Sequence, residues 1–281
     1  ALALATGEFI ALLDHDDLID LDALEVIDEA LRVDDTIDYV YSDEDLLTPD
    51  GEFVRAFYKP DWSPERLRAQ NYCCHFSVLR RDLVDRIGGF RPGFEGAQDY
   101  DLILRVTELA RRVHHVPRTL YHWRQLPTST ASDPNAKLYA FDAGRRAIQE
   151  HCERLGINAI VESTQILGTY RVRRVLSEHP LVSVIIPTKG SSGRVWGIER
   201  CFVVDAVRSL LETSTYGNFE FVIVADSVMA PEVATALERL GGDRLRIVWY
   251  HDAFNFSEKM NLGRVHASGA VSYTHLRAHE T

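Results

Sequence analysis

The chain has 281 residues, of which 46% are hydrophobic and 26% charged, and its formal net charge is −11 at pH 7. This composition predicts a globular protein of about two domains and excludes a disordered chain. The acidic balance, without a basic patch, argues against nucleic acid as a partner.

The cysteines and the apolar runs indicate the compartment. Cys73, Cys74, Cys152 and Cys201 form no CxxC pair and no disulfide-framework spacing, which favours a reducing compartment. Cys73-Cys74-His75 has no second pair of zinc ligands at finger-like spacing. No apolar run approaches the ~20 residues that span a bilayer, and the opening residues lack the basic region of a signal peptide. We therefore expect a cytoplasmic protein. Because the chain starts without Met, in mid-pattern, we also expect it to be a fragment.

The first strong chemical signal follows a short apolar run. The run from Phe9 to Leu13 predicts a buried strand, and Asp14, Asp16 and Asp17 come directly after it. In open α/β sheets, ligands bind at the carboxyl ends of strands. Like charges packed together repel unless a cation joins them, so the run predicts a Mg²⁺ or Mn²⁺ site. The alternative is a solvated acidic turn that caps the next helix.

Helical spacing then covers positions 21–31. Tyr39-Val40-Tyr41 predicts a short strand, and Ser42-Asp43-Glu44-Asp45 follows it. Further along we expect a loop around 60–64, a helix at 65–69, a strand at 76–79 and a helix at 82–87.

The second chemical signal is a loop that runs into a helix. Gly93 to Asp101 contains two glycines, and an apolar helical face follows from Leu102. Asp99 and Asp101 fall in the first turn, where the helix dipole favours an ionised carboxylate. An ionised carboxylate suits a general base, which is our prediction for Asp99. For Asp101 we prefer a helix cap.

Two short β-like runs at 113–116 and 119–121 lead to a third group of polar residues. In this group, His122 could complete the coordination of an ion, and Arg124 suits a diphosphate. The alternative for His122 is an ordinary packed side chain. A helix is expected over 139–154, followed by a β-rich connector that ends at Pro180.

The remaining chain alternates strands with helices. We expect strands at 182–186, 219–224 and 245–250, with helices at 201–212 and 231–240 between them. This alternation predicts a doubly wound nucleotide-binding sheet. Thr188 and Asp226 stand at strand ends, and Asp226 either contacts a base or ribose or caps a loop. The absence of GxGxxG argues against a dinucleotide cofactor.

A weak internal repeat indicates how the two parts are related. Ala5-Thr6-Gly7 resembles Ala267-Ser268-Gly269. In that register, Asp14-His15-Asp16 falls on Leu276-Arg277-Ala278, so the second copy lacks the carboxylates. Residues 272–281 look foreign to the pattern.

Together these motifs resemble the family 2 glycosyltransferases, which invert configuration and have the GT-A fold. Asp14-His15-Asp16 is similar to the DxD motif of that family, and Gln98 to Asp101 is similar to its (E/Q)D base motif. Residues 41–45, 59–63 and 120–124 resemble two-domain members that build bacterial surface polysaccharides, including rhamnose-containing ones.

The resemblance implies an α/β chain made of two GT-A halves, each a mixed sheet flanked by helices. Residues 1–156 would be the C-terminal part of a first domain, 157–180 a connector, 181–271 the N-terminal nucleotide-binding part of a second domain, and 272–281 a non-native tail.

The resemblance also implies an activity. A hexosyl or rhamnosyl unit would pass from a nucleotide-sugar donor to a glycan or lipid-linked glycan, with inversion. Asp14 and Asp16, with His122, would hold Mn²⁺ or Mg²⁺, and Asp99 would be the catalytic base. The implied donor contacts are Asp17, Arg124, Thr188, Asp226 and Asn261, and the implied acceptor contacts are Glu95, Gln98 and Trp123.

Neither half is whole on this interpretation, so we expect this chain alone to transfer little or no sugar, although the parent protein would. A lipid-linked acceptor would draw the protein to the inner face of the plasma membrane. Two other classes stay open: a module that binds nucleotide or glycan without chemistry, and a metal-dependent nucleotidyltransferase.

Overall fold

The computed structural model describes residues 2–125 and 138–274. The chain divides into two compact units, Ala1–Val175 and Leu176–Thr281. Each unit has a central sheet flanked by helices, so the predicted α/β class is confirmed. No helix within the described ranges is both long enough and apolar enough to cross a bilayer.

The first unit is built on a six-stranded mixed sheet. Its strands are β1 (Phe9–Leu12), β2 (Leu18–Ile19), β3 (Ile37–Leu47), β4 (Phe53–Phe57), β5 (Ser77–Arg80) and β6 (Arg112–Arg124). The strand order is β1-β5-β3-β6-β2, and β4 pairs with β3. β3 and β6 run parallel, and the other pairs are antiparallel.

Helices cover both faces of this sheet. They are α1 (Ala23–Val33), α2 (Pro64–Ala69), α3 (Arg81–Arg86), α4 (Gln98–Thr107) and α5 (Leu138–Arg154). Because side chains alternate along a strand, Tyr39 and Tyr41 of β3 pack into one core cluster with α4 and α5. Val40, between them, packs into a second cluster with α1.

A hairpin completes the first unit. Its strands are β7 (Ala159–Ser163) and β8 (Tyr170–Arg174). Val161 and Tyr170 are buried in the cluster that contains α4 and α5. Most of the segment expected as a connector therefore packs in the first unit, which extends to Val175.

β3 and β6 are both longer than the sequence predicted. β3 continues through Ser42-Asp43-Glu44-Asp45, and β6 is one strand of 13 residues with shifts of register against β3. We expected these polar residues to lie beyond the strands, because a run of acids is unusual inside a sheet. Side chains that are distant in the sequence pair with them, as described below.

The second unit contains a four-stranded parallel sheet. Its strands are β9 (Val182–Thr188), β12 (Phe219–Asp226), β13 (Leu245–Tyr250) and β14 (Val271–Tyr273), and an unpredicted hairpin is formed by β10 (Ser192–Val195) and β11 (Ile198–Cys201). The sheet order is β13-β12-β9-β14. Ser272 and Tyr273, expected to begin a foreign tail, pair with β9 in this sheet. Positions 276–278 of the proposed repeat lie outside the described residues.

Three helices cover the second sheet. They are α6 (Phe202–Thr213), α7 (Pro231–Gly241) and α8 (Phe256–His266). α6 and α7 pack on one face, and α8 packs on the other. Gly263 brings α8 close to the sheet, since a side-chain carbon there would collide with Ile185 and Val224. The predicted alternation of strand and helix is confirmed in this unit.

Candidate functional site

The acidic loop after β1 is tied to the end of β6. The backbone N–H of Asp14 donates to the Tyr121 hydroxyl at 3.3 Å, and that hydroxyl donates to Oδ2 of Asp17 at 2.5 Å. The backbone N–H of Arg124 donates to Oδ1 of Asp17 at 2.8 Å. Nε of Arg124 donates to the Asp16 carbonyl at 2.6 Å. The protein therefore fixes the shape of this loop.

These contacts separate two roles among the predicted residues. Asp17 is buried, and both of its carboxylate oxygens accept hydrogen bonds from the protein. Its carboxylate holds the loop, and direct contact with a donor stays a prediction. Asp14 is exposed and Asp16 half-exposed, so both can reach a ligand.

The charge environment of Asp14 shows what lies near it. Partial burial of the carboxyl group raises the pKa of Asp14, His75 opposes this rise, and the charges of Asp17, Asp16 and Asp99 add to it. Asp14 and Asp99 are 85 positions apart in sequence, but their charges interact. Contacts through residues 74 and 75 relate the predicted DxD loop to the predicted base, since Cys74 donates to Asp99 and the ring of His75 stacks on Tyr121, which accepts from the Asp14 backbone.

Asp99 lies in the first turn of α4, as predicted. Its Oδ2 accepts hydrogen bonds from Nδ2 of Asn71 at 3.1 Å and from Sγ of Cys74 at 3.5 Å. Burial and the charge of Asp99 raise the pKa of the Cys74 thiol well above its usual range. The thiol therefore stays protonated and acts as the donor. The sequence analysis assigned no role to Asn71 or to Cys74.

Asp101, two residues further on, has a different role from the predicted cap. Its carboxylate is completely buried and bonds to Arg91 and Arg105. Burial alone would raise the pKa of Asp101, but the hydrogen bonds from these two guanidinium groups lower it. The prediction of a cap was wrong, because Arg105, one turn along α4, lies within reach of Asp101.

His122 is paired with a carboxylate. Its Nδ1 lies 2.7 Å from Oδ1 of Asp45, and its ring packs against Phe53 with centroids 4.5 Å apart. β6 places His122 opposite Leu18, directly after the acidic loop. Metal-binding histidines usually have such a carboxylate partner on the second ring nitrogen. Among residues 2–125 and 138–274, no three His, Cys, Asp or Glu side chains form a ready-made metal site.

The acids of β3 are paired with side chains whose contact with them was not predicted from the sequence. Oδ1 of Asp43 lies 2.8 Å from Nε2 of His115. Oε2 of Glu44 accepts from Nζ of Lys59 at 2.9 Å and from the His75 backbone at 3.3 Å. Buried acids need such partners. The acids of β3 therefore implied a buried basic residue nearby, and Lys59 is that residue.

His75 stands beside the acidic loop. Its ring stacks on Tyr121 with centroids 4.6 Å apart, and Trp123 lies 5.9 Å away. Nζ of Lys59 donates a hydrogen bond to the His75 carbonyl, which also fixes the backbone at His75. The predicted acceptor contact Trp123 thus adjoins His75, which the sequence analysis considered only as a weak zinc ligand.

The other two predicted acceptor contacts lie near the start of α4. Gln98 is exposed, and it is the first residue of that helix. Glu95 is also exposed, and its carboxylate accepts from the Gly93 backbone at 2.9 Å. This hydrogen bond lowers the pKa of Glu95.

In the second unit, a buried lysine joins the two predicted strand-end residues. Thr188 and Asp226 end adjacent parallel strands. Nζ of Lys259 donates to the Thr188 carbonyl at 3.3 Å and to Oδ1 of Asp226 at 2.8 Å. Lys259 was not predicted. Asn261, two residues along α8, is exposed.

The chain resembles known proteins over nearly all of its length. It is 37% identical to an uncharacterized protein y4gI of Sinorhizobium fredii over 277 residues, which are 96% of this chain and 30% of that protein. It is 35% identical to the O-antigen biosynthesis protein RfbC of Myxococcus xanthus over 270 residues, which are 96% of this chain and 20% of that protein.

A more distant relative matches a shorter part. A chondroitin synthase of Pasteurella multocida is 30% identical over 115 residues, which are 41% of this chain and 12% of that protein. No family model matches the chain. The chain thus spans less than a third of the length of each of these relatives.

The relatives named for O-antigen biosynthesis and chondroitin synthesis agree with the motifs, and the resemblance of this chain to family 2 glycosyltransferases is confirmed.

Proposed function

We propose that this chain takes part in glycosyl transfer during the assembly of a bacterial surface polysaccharide. A sugar would move from a nucleotide-sugar donor to a glycan acceptor, with inversion. The observation that carries this proposal is a chain of contacts from the acidic loop to the candidate base. The Asp14 backbone donates to the Tyr121 hydroxyl, the Tyr121 ring stacks on His75, and the adjacent Cys74 donates to Asp99. The relatives named for O-antigen biosynthesis and chondroitin synthesis support the same class of reaction.

Asp14 and Asp16 offer the oxygen ligands that a hard divalent cation prefers. Burial is the main cause of the raised pKa of Asp14, the charges of Asp17, Asp16 and Asp99 add to it, and a cation would relieve the repulsion between these charges. Asp14 and Asp16 would hold Mn²⁺ or Mg²⁺, and His122, which Asp45 orients, would be the third protein ligand. When bound, the ion would neutralise charge on the leaving diphosphate. The remaining ligands would come from the diphosphate and water.

The residues of the chain would carry out the other parts of the reaction. Asp99 would accept the proton of an acceptor hydroxyl while that oxygen bonds to the anomeric carbon. The bond from the anomeric carbon to the diphosphate oxygen breaks, and its electron pair leaves with the nucleoside diphosphate. Attack opposite the leaving group inverts the anomeric carbon. Arg124 would contact the diphosphate, and Trp123 the acceptor sugar.

The second unit would supply nucleotide contacts of the same type. Thr188 and Asp226 would meet the base and ribose, and Asn261 would lie towards the sugar. Because the chain contains one half of each catalytic domain in this scheme, its own turnover would be weak. The sugar would be a hexose or rhamnose, and a lipid-linked acceptor would bring the protein to the inner face of the membrane.

Thermal shift with a panel of nucleotide sugars, with and without Mn²⁺, tests donor binding, since a bound ligand raises the melting temperature. We expect a rise for at least one donor, dependent on Mn²⁺ and lost in Asp14→Asn. The matched control is Asp50→Asn, which changes an exposed acid in the turn after β3. No shift with any donor would contradict the proposal.

Product analysis separates the alternatives. Sugar transfer releases a nucleoside diphosphate, whereas nucleotidyl transfer releases pyrophosphate. Donor binding without either product would indicate a binding module.

A further inference from the structure

The hydrogen bonds to Asp99 are one-sided. Asn71 Nδ2 and Cys74 Sγ both donate to Oδ2, at 3.1 and 3.5 Å. Within residues 2–125 and 138–274, no hydrogen bond reaches Oδ1. Two donors on one oxygen fix the rotation of a carboxylate and leave the other oxygen to accept from a ligand.

The orientation of Asn71 follows from this contact. A carboxylate only accepts hydrogen bonds, so the amide must turn its NH₂ group towards Asp99. Oδ1 of Asn71 is then buried and makes no hydrogen bond within the described residues. Buried polar atoms without partners are rare, and each needs an explanation. Here the side chain of Asn71 uses its NH₂ group to hydrogen-bond to Asp99, at the cost of a partner for its carbonyl oxygen.

Cys74 complements Asn71 as a second donor. Its thiol remains protonated at neutral pH because burial and the negative charge of Asp99 raise its pKa. The segment that carries both residues is itself anchored, since Lys59 Nζ donates to the carbonyls of Cys73, at 3.1 Å, and His75. Lys59 is in turn paired with Glu44. The two donors are therefore held on backbone that cannot shift freely.

We propose that Asn71 and Cys74 are positioning residues, which hold Oδ2 of Asp99 and present Oδ1 to the acceptor hydroxyl. This inference rests on the proposed function and adds two residues to it. In the reaction, the hydroxyl proton would pass to Oδ1 as the O–H bond breaks, and Oδ2 would keep both of its donors. The hydroxyl oxygen would bond to the anomeric carbon as the nucleoside diphosphate leaves.

Infrared spectroscopy tests the contact without any need for turnover. The S–H stretching band of Cys74 is obtained as the difference between the native chain and Cys74→Ala. A thiol that donates to a charged carboxylate absorbs at lower frequency than a thiol without that bond. We expect Asp99→Asn to move the band to higher frequency. Glu95→Gln, a change at an exposed acid near the same helix, should leave it in place. An unmoved band in Asp99→Asn would overturn the proposal.

Steady-state kinetics test the role. We expect Asn71→Leu and Cys74→Ala each to lower kcat about tenfold with little change in KM for the acceptor, because the base is misdirected rather than removed. Cys74→Ser keeps a donor and should restore most of the rate. Cys152→Ala, which truncates a buried cysteine in the core cluster that contains α4 and α5, is the control.

Equal kcat in Cys74→Ala and the native chain would overturn the positioning role. A native chain whose melting temperature is raised by no nucleotide sugar would contradict the proposed function instead, and the infrared band would still decide whether Cys74 donates to Asp99.

Discussion

His122 and Asp45 form a hydrogen-bonded pair between neighbouring parallel strands, with Nδ1 of the imidazole 2.7 Å from Oδ1 of the carboxylate. The two residues are also register partners in the β3–β6 ladder. This pairing fixes the ring so that Nε2 is the nitrogen left for a ligand. It gives the predicted metal ligand the partner that such histidines normally have.

Asp45→Asn should therefore weaken Mn²⁺ binding by about tenfold to a hundredfold, because the imidazole loses its charged partner and becomes a poorer ligand. Isothermal titration of the chain with Mn²⁺ and a bound nucleotide sugar measures this change. Asp50→Asn, in the exposed turn after β3, should bind Mn²⁺ as the native chain does. Equal affinities in all three proteins would argue against His122 as a ligand.

Asp99→Asn and Asp101→Asn should separate activity from stability. Removal of the Asp101 charge leaves the buried Arg105 without its carboxylate partner and Arg91 with Glu150 alone, and we expect a loss of about 3–5 kcal/mol in the free energy of unfolding. Asp99→Asn should cost less than about 1 kcal/mol and abolish turnover. Urea unfolding and product release measure the two effects. A stable Asp101→Asn variant would show that this ion-pair network contributes little.

Asp14→Asn should stabilise the metal-free chain at neutral pH while abolishing cation binding. The folded state raises the pKa of Asp14, so ionised Asp14 opposes folding. This unfavourable contribution is absent below the pKa of the unfolded chain and complete above the raised folded value. Melting temperatures measured without metal should rise on the order of 1–2 °C at pH 7 and be unchanged near pH 3. A melting temperature of Asp14→Asn below that of the native chain at pH 7 would contradict the expected direction of the change.

Asp38 should make the first unit sensitive to acid. Burial would raise the pKa of Asp38, but hydrogen bonds from Arg111 and Arg80 outweigh it and lower the pKa to about 2. The stabilisation is present above the unfolded pKa near 4 and is lost as the pH falls towards 2. Urea unfolding between pH 6 and pH 2 should show this loss, and Asp38→Asn should show a flatter profile. If the free energy of unfolding falls with pH to the same extent in the native chain and in Asp38→Asn, the stabilising role of Asp38 is refuted.

Lys259→Met should destabilise the second unit. The buried ammonium group joins the Thr188 carbonyl to Asp226, and its loss leaves Asp226 uncompensated. We expect a loss of about 2–4 kcal/mol, since Asp226 keeps some contact with water. Hydrogen exchange of the amides in β9 and β12 measures it. In Lys189→Met, a change at an exposed position beyond β9, the same amides should exchange at the rates of the native chain.

The sequence predicted the local patterns of this chain well. The apolar runs at β1, β9, β12 and β13 and the helical spacing of α4 and α6 correspond to observed elements. Asp14 and Asp99 were also predicted to share one site; this stays a prediction, and the contacts through Tyr121, His75 and Cys74 support it. Both signals depend on short stretches of sequence, where periodicity and charge are informative.

The long-range ion pairs could not be predicted in the same way. The acids of β3 looked like a loop because their partners, Lys59 and His115, are distant in sequence. The donors on Asp99 come from the segment 71–74, which no motif connected to α4. Such partners are set by the tertiary fold, so a single sequence without its topology does not identify them.

The tethering of the acidic loop has a thermodynamic consequence. Tyr121 and Arg124 hold the loop before any ligand arrives, so its conformational entropy is lost during folding and not during association. A donor would then meet a preorganised surface. Its encounter rate should depend on diffusion and ionic strength rather than on rearrangement of the backbone.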